Sequence, residues 1–137
     1  MQFHGAINSA LNIARAESTN IPGSFDPEYI TCFKYPLIDG RLIGHYDMKP
    51  SWVLLLSIGH SCSFRIMGPN TNGIKEFEYN SGDCLIFDAS KQASIFHEMT
   101  EVSNQIPNEL LICCPDLLHW RVSLQIRAYT AGSVESV

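Results

Sequence analysis

His45-Tyr46-Asp47 sets an imidazole and a carboxylate two residues apart, and a second imidazole, His97, follows about fifty residues later. On a strand, residues two apart face the same side, so His45 and Asp47 would aim into one pocket with Tyr46 turned away. The run Ala93–His97 also reads as strand, which could bring His97 to them from across a barrel. Two imidazoles and one carboxylate form the facial ligand set that suits Fe(II) and leaves coordination positions open. Farther on, Arg121-Val122-Ser123-Leu124-Gln125-Ile126-Arg127 alternates polar and apolar residues. With a period of two, Arg121, Ser123, Gln125 and Arg127 share one face. A guanidinium is a planar donor fork matched to carboxylate. Two of them could hold both ends of a dicarboxylate, or one could hold it while the other shapes the metal side. The plainer alternative stays open: a surface histidine, a strand-end aspartate, an unrelated histidine, and an arginine face turned to water as in an ordinary half-buried strand.

The elements that must position these groups are mostly short strands. Ile7, Ala10, Leu11 and Ala14 have helical spacing, so a helix is expected over Ile7–Glu17, followed by a Pro- and Gly-punctuated loop over Asn20–Pro27. Strands are then expected over Arg41–Asp47, Trp52–Ile58, Cys62–Met67, Glu76–Tyr79, Asp83–Phe87, Ala93–His97, Glu109–Cys114 and Arg121–Tyr129. Gly68–Gly73 reads as a hairpin loop. The fold class predicted is mainly β: a double-stranded β-helix, or jelly-roll, preceded by one or two N-terminal helices. Residues 1–137 are expected to form a single domain with its core at about 35–129.

Composition narrows the classes. A net charge of -5 leaves no overall basic footprint for long nucleic acid; Arg65, Lys75, Lys91, Arg121 and Arg127 remain the candidates for a local patch. Five cysteines without a C-x-x-C spacing argue against a disulfide framework or a zinc site. Cys84 and the Cys113-Cys114 pair, in apolar runs, are expected to be buried reduced thiols of a cytoplasmic or nuclear protein, with an organelle not excluded. No apolar run is long enough for a membrane span, and no apolar block follows a basic start as a secretory signal would require. His60 and His119 flank strands and are expected at the surface or hydrogen-bonded. Trp52 and Trp120 open strands and are expected to pack at the core or its edge.

The order of these parts resembles the AlkB-type Fe(II)/2-oxoglutarate dioxygenases from about Tyr35 to Tyr129. The matching pieces are Leu42–Asp47, Val53–Gly59 with Cys62–Phe64, Ser81–Phe87, Ile95–His97 and Arg121–Arg127. The resemblance implies that His45, Asp47 and His97 ligate Fe(II). It also implies that Arg121 and Arg127 meet the 2-oxoglutarate carboxylates, that Ser123 stands where the family usually has Asn, and that Tyr35 touches the cosubstrate. The implied reaction uses O2, converts 2-oxoglutarate to succinate and carbon dioxide, and removes an alkyl group from a nucleobase nitrogen of DNA or RNA as an aldehyde.

Departures from the pattern bear on the substrate. The family's Asn-x-Tyr strand is represented only by Phe33-Lys34-Tyr35, and Met48-Lys49-Pro50 replaces the usual acidic position after the ligand Asp. The segment before His45 is brief for a base-gripping lid, which leaves room for a protein partner to complete it. Phe25, Tyr29 and Phe33 could stack on a flipped base, although core packing is the simpler expectation for each. The alternatives are a non-catalytic or truncated AlkB-like module, and a 2-oxoglutarate-dependent hydroxylase of a protein or small molecule.

Overall fold

The computed structural model describes residues 2–17, 21–22, 25–69 and 71–129. Helix α1 (Gln2–Glu17) precedes eight strands: β1 (Tyr29–Pro36), β2 (Leu42–Tyr46), β3 (Ser51–Gly59), β4 (Cys62–Met67), β5 (Lys75–Tyr79), β6 (Cys84–Asp88), β7 (Phe96–Val102) and β8 (Trp120–Tyr129). Between β7 and β8 lie a short helix α2 (Asn108–Cys113) and a 3-10 turn (Pro115–Leu118). The strands form two four-stranded sheets, one in the order β1-β8-β3-β6 and the other β2-β7-β4-β5, with every pairing antiparallel. This is the expected jelly-roll. The expected loop over Asn20–Pro27 lies partly outside the described residues.

Burial explains why β3 has no alternation. Val53, Leu55, Phe64, Tyr79, Phe87 and Met99 are buried together between the sheets. On the opposite face of β3 and β8, Leu54, Ile126 and Ala128 pack under α1 against Ile7, Leu11 and Phe25. A strand covered on both sides reads as a continuous apolar run, as Trp52–Ile58 does. Phe25 is thus a core residue under the helix. Trp52 packs against the same cluster.

Several expectations require correction. Helix α1 begins at Gln2, ahead of the apolar stripe that signals it. Strand β1 was not expected as a full element, yet its β-branched and aromatic residues pair with β8 along their whole length. The segment expected as a strand over Glu109–Cys114 is helical over Asn108–Cys113. Its apolar run fits either state by pattern alone. Pro107 in extended conformation at the N-cap and Glu109 in the first turn favour the helix. That helix buries none of its residues, so Cys113 and Cys114 are exposed free thiols. Cys84 and Cys32, on edge strands, are exposed as well, and Cys62 is the buried cysteine. Among the described residues, no helix is long and apolar enough to cross a membrane.

The two-layer cover of β8 gives a stability expectation. Leu11 is 1% exposed whereas Ile13 is 66% exposed. Leu11→Ala should lower the urea unfolding free energy by about 2–5 kcal/mol through lost burial and a cavity. Ile13→Ala should change it by less than about 0.5 kcal/mol.

Candidate metal and anion site

The two histidines meet because their strands are hydrogen-bonded neighbours. In the β2–β7 ladder His45 lies directly opposite His97, with ring centroids 4.4 Å apart. His97 therefore stands near the start of its strand, not at the end of one over Ala93–His97. Ser94 has a left-handed φ of 50° within the Ser90–Ser94 turn, where its N–H donates to the Ser90 carbonyl. The strand signal is Phe96–Val102 itself, where buried His97, Met99 and Val102 are interleaved with more exposed residues.

Asp47 follows immediately after β2, and the chain then turns at Met48, with φ of 56°, into the β3 approach. Left-handed backbone at a non-glycine residue costs about 1–2 kcal/mol. The turn is held by the Lys49 N–H on the Ala89 carbonyl, 2.9 Å. Asp47 is left facing both histidines: one donor atom from each of His45, Asp47 and His97 lies within 4.8 Å of the others. Tyr46 points away and packs edge-on against Phe96.

The donor chemistry fits a divalent cation. His45 Nδ1 lies 2.8 Å from the Ile43 carbonyl, which can only accept, so Nδ1 carries the proton. In the neutral ring Nε2 then presents a lone pair toward Asp47 Oδ1, 3.3 Å away. A cation shared by the two atoms, a metal ion or the proton of an imidazolium, satisfies both. A ligating histidine that donates its other ring N–H to a backbone carbonyl is the usual supporting arrangement. His97 is 2% exposed, and burial holds its pKa below the usual histidine value, Asp47 opposing that shift and His45 and Arg127 assisting it. Burial thus favours the neutral, ligating form.

The two sheets contribute different halves of the cleft. The metal donors sit on the β2-β7 sheet or just after it; both arginines sit on β8 of the facing sheet. The polar face of β8 is turned inward: Arg121, Ser123 and Arg127 are all buried. This settles the open question of β8 orientation against the water-facing alternative. Outside, Ile126 is covered by α1.

The arginines have different partners. Arg127 donates from Nη2 to Asp47 Oδ2 at 2.5 Å, from Nη1 to Ser51 Oγ at 2.9 Å and from Nε to Gln125 Oε1 at 3.2 Å. It orients the candidate ligand carboxylate and is largely occupied. Arg121 donates from Nη1 to Ser57 Oγ and to the His60 and Tyr79 carbonyls, all neutral acceptors. Its Nε is buried without a partner, and among the described residues no carboxylate pairs with it. Ser123 lies beside Phe33 and Ser57, and Tyr35 lies directly opposite Arg121 across the β1–β8 ladder. Burial raises the Tyr35 pKa, with Arg121 opposing, so the phenol stays a neutral donor.

Tyr35, Ser123, Arg121, Arg127 and the three metal donors all line one cleft of about 410 Å³. Tyr29 and Phe33, for which core packing was expected, instead line this cleft and are 55% and 37% exposed. They follow from β1 as an edge strand whose even-spaced residues oppose the polar face of β8. Lys49, not singled out from sequence, also lines it. His60 is fully buried and hydrogen-bonded, and His119 is exposed.

No family model matches the chain, and no curated protein matches it in sequence. Solved structures do. The chain is similar to the structure of OsALKBH1, with 25% identity and a TM-score of 0.67 over 90% of this chain and 61% of that one. The likeness points to an AlkB-like fold. This chain spans 61% of the OsALKBH1 chain's length. The Drosophila melanogaster CENP-C cupin domain has a TM-score of 0.51 at 11% identity, covering 74% of this chain and 57% of that one. The QdtA 3,4-ketoisomerase from Thermoanaerobacterium thermosaccharolyticum has a TM-score of 0.50 at 15% identity, covering 76% and 60%. These last two speak to the jelly-roll alone. The His45, Asp47 and His97 cluster is a candidate three-residue metal group whose donors are consistent with Fe(II).

The carboxylate clamp is open to test. Arg127→Met keeps all three metal donors but frees the Asp47 carboxylate; Mn(II) affinity by calorimetry should fall about 10–100-fold, the usual effect of losing a supporting partner. His97→Ala should remove measurable binding.

Proposed function

We propose that this protein is an Fe(II)- and 2-oxoglutarate-dependent dioxygenase that oxidatively demethylates N-alkylated nucleobases in DNA or RNA. The observation that carries the reading is Arg121: a buried guanidinium without a counter-ion among the described residues, lining the same cleft as two imidazoles and a carboxylate. An uncompensated buried charge is costly, and an anionic ligand removes that cost. A dicarboxylate that reaches both a metal and a guanidinium meets both halves of the site.

His45, Asp47 and His97 would hold the iron, which supplies oxygen activation when bound. Arg127 keeps Asp47 in its ligating orientation. Arg121 takes the distal carboxylate of 2-oxoglutarate, with the Tyr35 hydroxyl as a second donor and Ser123 beside it. The apolar wall between the sheets excludes water from that end. Tyr29 and Phe33, exposed at the cleft, offer flat faces on which an unstacked base can rest. Lys49, which lines the cleft, would meet a backbone phosphate. The cytoplasm or nucleus is the proposed compartment.

A second reading, a hydroxylase of a protein or small molecule, draws on the surface charge. Of the cations expected to offer a basic patch, Arg121 and Arg127 are buried and Arg65 is paired with Glu76 and Glu98. The decisive measurement is a mass-spectrometric screen of methylated DNA and RNA oligonucleotides with Fe(II) and 2-oxoglutarate. The expected result is methyl loss matched by succinate and formaldehyde. Succinate formation driven by a protein fraction, with no oligonucleotide altered, would support the second reading instead.

The cosubstrate half has its own check. Anaerobic addition of Fe(II) and 2-oxoglutarate should give a weak visible charge-transfer band that His97→Ala abolishes. Arg121→Met should weaken 2-oxoglutarate binding by about 10–100-fold, the worth of one charged hydrogen bond, with Mn(II) affinity unchanged.

A further inference from the structure

We infer that His60, remote from the metal donors in the fold's ladders, is the positioning residue that aims Arg121 at its anion; the inference rests on the anion-binding reading of Arg121. His60 occupies the tight turn between β3 and β4. It contributes twice. Its backbone carbonyl accepts from Arg121 Nη1. Its imidazole, fully buried, lies with Nε2 3.0 Å from the Leu118 carbonyl, which can only accept, so Nε2–H is the donor. Nδ1 is buried with no partner among the described residues. The ring therefore makes one hydrogen bond, and that bond ties the turn to the segment leading into β8, three residues before Arg121.

The rest of the turn is fastened from other sides. The Ser61 N–H donates to the Gln105 carbonyl at 2.8 Å, Ser61 Oγ to Asn80 Oδ1 at 2.7 Å, and the Gly59 N–H to Ser81 Oγ at 3.1 Å. Gly59 has a φ of 92°, and a Cβ there would lie 3.1 Å from the Trp120 carbonyl, so this turn presses directly on the start of β8. The guanidinium is thus gripped through one nitrogen by Ser57, the His60 carbonyl and, at 3.5 Å, the Tyr79 carbonyl. Nη2 makes no hydrogen bond to the described residues and remains for a ligand. Of the three acceptors, the His60 carbonyl belongs to a turn that depends on the imidazole for its link to the 3-10 segment. Without the imidazole bond the His60–Ser61 peptide is held from its N–H side alone, by Ser61 on Gln105, so its carbonyl tilts about that bond and Arg121 loses its aim while keeping its charge.

The test compares His60→Leu, His60→Gln and His60→Asn in the intact protein, with Arg121→Met as the reference. Calorimetry would measure 2-oxoglutarate binding with Mn(II) present, and Mn(II) binding alone. His60→Leu should weaken 2-oxoglutarate at least tenfold, with the Mn(II) affinity within about twofold of the parent. His60→Gln, whose amide N–H can reach the Leu118 carbonyl, should restore most of the cosubstrate affinity. His60→Asn, too short to do so, should not. Should His60→Leu fail to fold, the Gln–Asn contrast carries the decision. Parent-like cosubstrate binding in both Leu and Asn variants, or equal losses of metal and cosubstrate, overturns the positioning role while Arg121→Met still loses 2-oxoglutarate. If Arg121→Met itself binds 2-oxoglutarate normally, the anion-site reading falls first.

Discussion

The contact between Asp47 and Arg127 joins the two sheets at the site, and the rest of the arrangement depends on it. Asp47 has little solvent access, with 8% of its side chain exposed, and Arg127 has 5%. Neither charge would be tolerable there alone: breaking such a pair by removing one partner typically costs about 3–5 kcal/mol. The pairing also assigns work to the two carboxylate oxygens. Oδ2 faces the guanidinium and Oδ1 faces His45. One side chain thereby bridges the two sheets at the cleft and turns a candidate ligand atom toward the histidines.

That constraint separates the arginines into two roles. Arg127 finds three acceptors, Asp47 across the cleft and Ser51 and Gln125 on its own sheet, and is consumed by them. Arg121, six residues earlier on the same face, finds only neutral acceptors. Among the described residues, the interior thus holds one guanidinium paired with a carboxylate and one that meets neutral acceptors alone. The metal donors lie on one sheet and the unbalanced cation on the other, so a ligand touching both must span the gap. Tyr35 and Ser123 flank that gap from β1 and β8. The chemistry of the cleft thus follows from pairing two sheets with opposite donor types.

Much of the fold was readable from residues. The two-sided burial of β3 shows as an unbroken apolar run, and turns at Gly59, Gly68–Gly73 and Gly82 carry glycine where the chain reverses. The α2 segment was not readable in the same way. Leu110-Leu111-Ile112 satisfies a strand pattern and a helix pattern equally, and its environment, a solvent-facing connection beside β8, chose the helix. Strand β7 was displaced for a related reason: charged Glu98 and Glu101 hide its alternation from a search led by apolar runs. The exposed cysteines were misread because apolar neighbours in sequence do not ensure burial on an edge strand or a surface helix.

For the site, period-two spacing paired His45 with Asp47 and Arg121 with Arg127, since alternate side chains on a strand share a face regardless of what lies opposite. Joining the two pairs with His97 into one ligand set rested on the family resemblance. What lies opposite is a non-local matter. The β2–β7 register that places His45 against His97, the inward turn of the β8 polar face, and the difference between an occupied Arg127 and an unpaired Arg121 all arise from contacts between strands far apart in the chain. So does the role of His60, whose ring meets a carbonyl at Leu118. Local spacing chose the side chains; the packing of one sheet on the other decided which of them are spent on each other and which are left for a ligand.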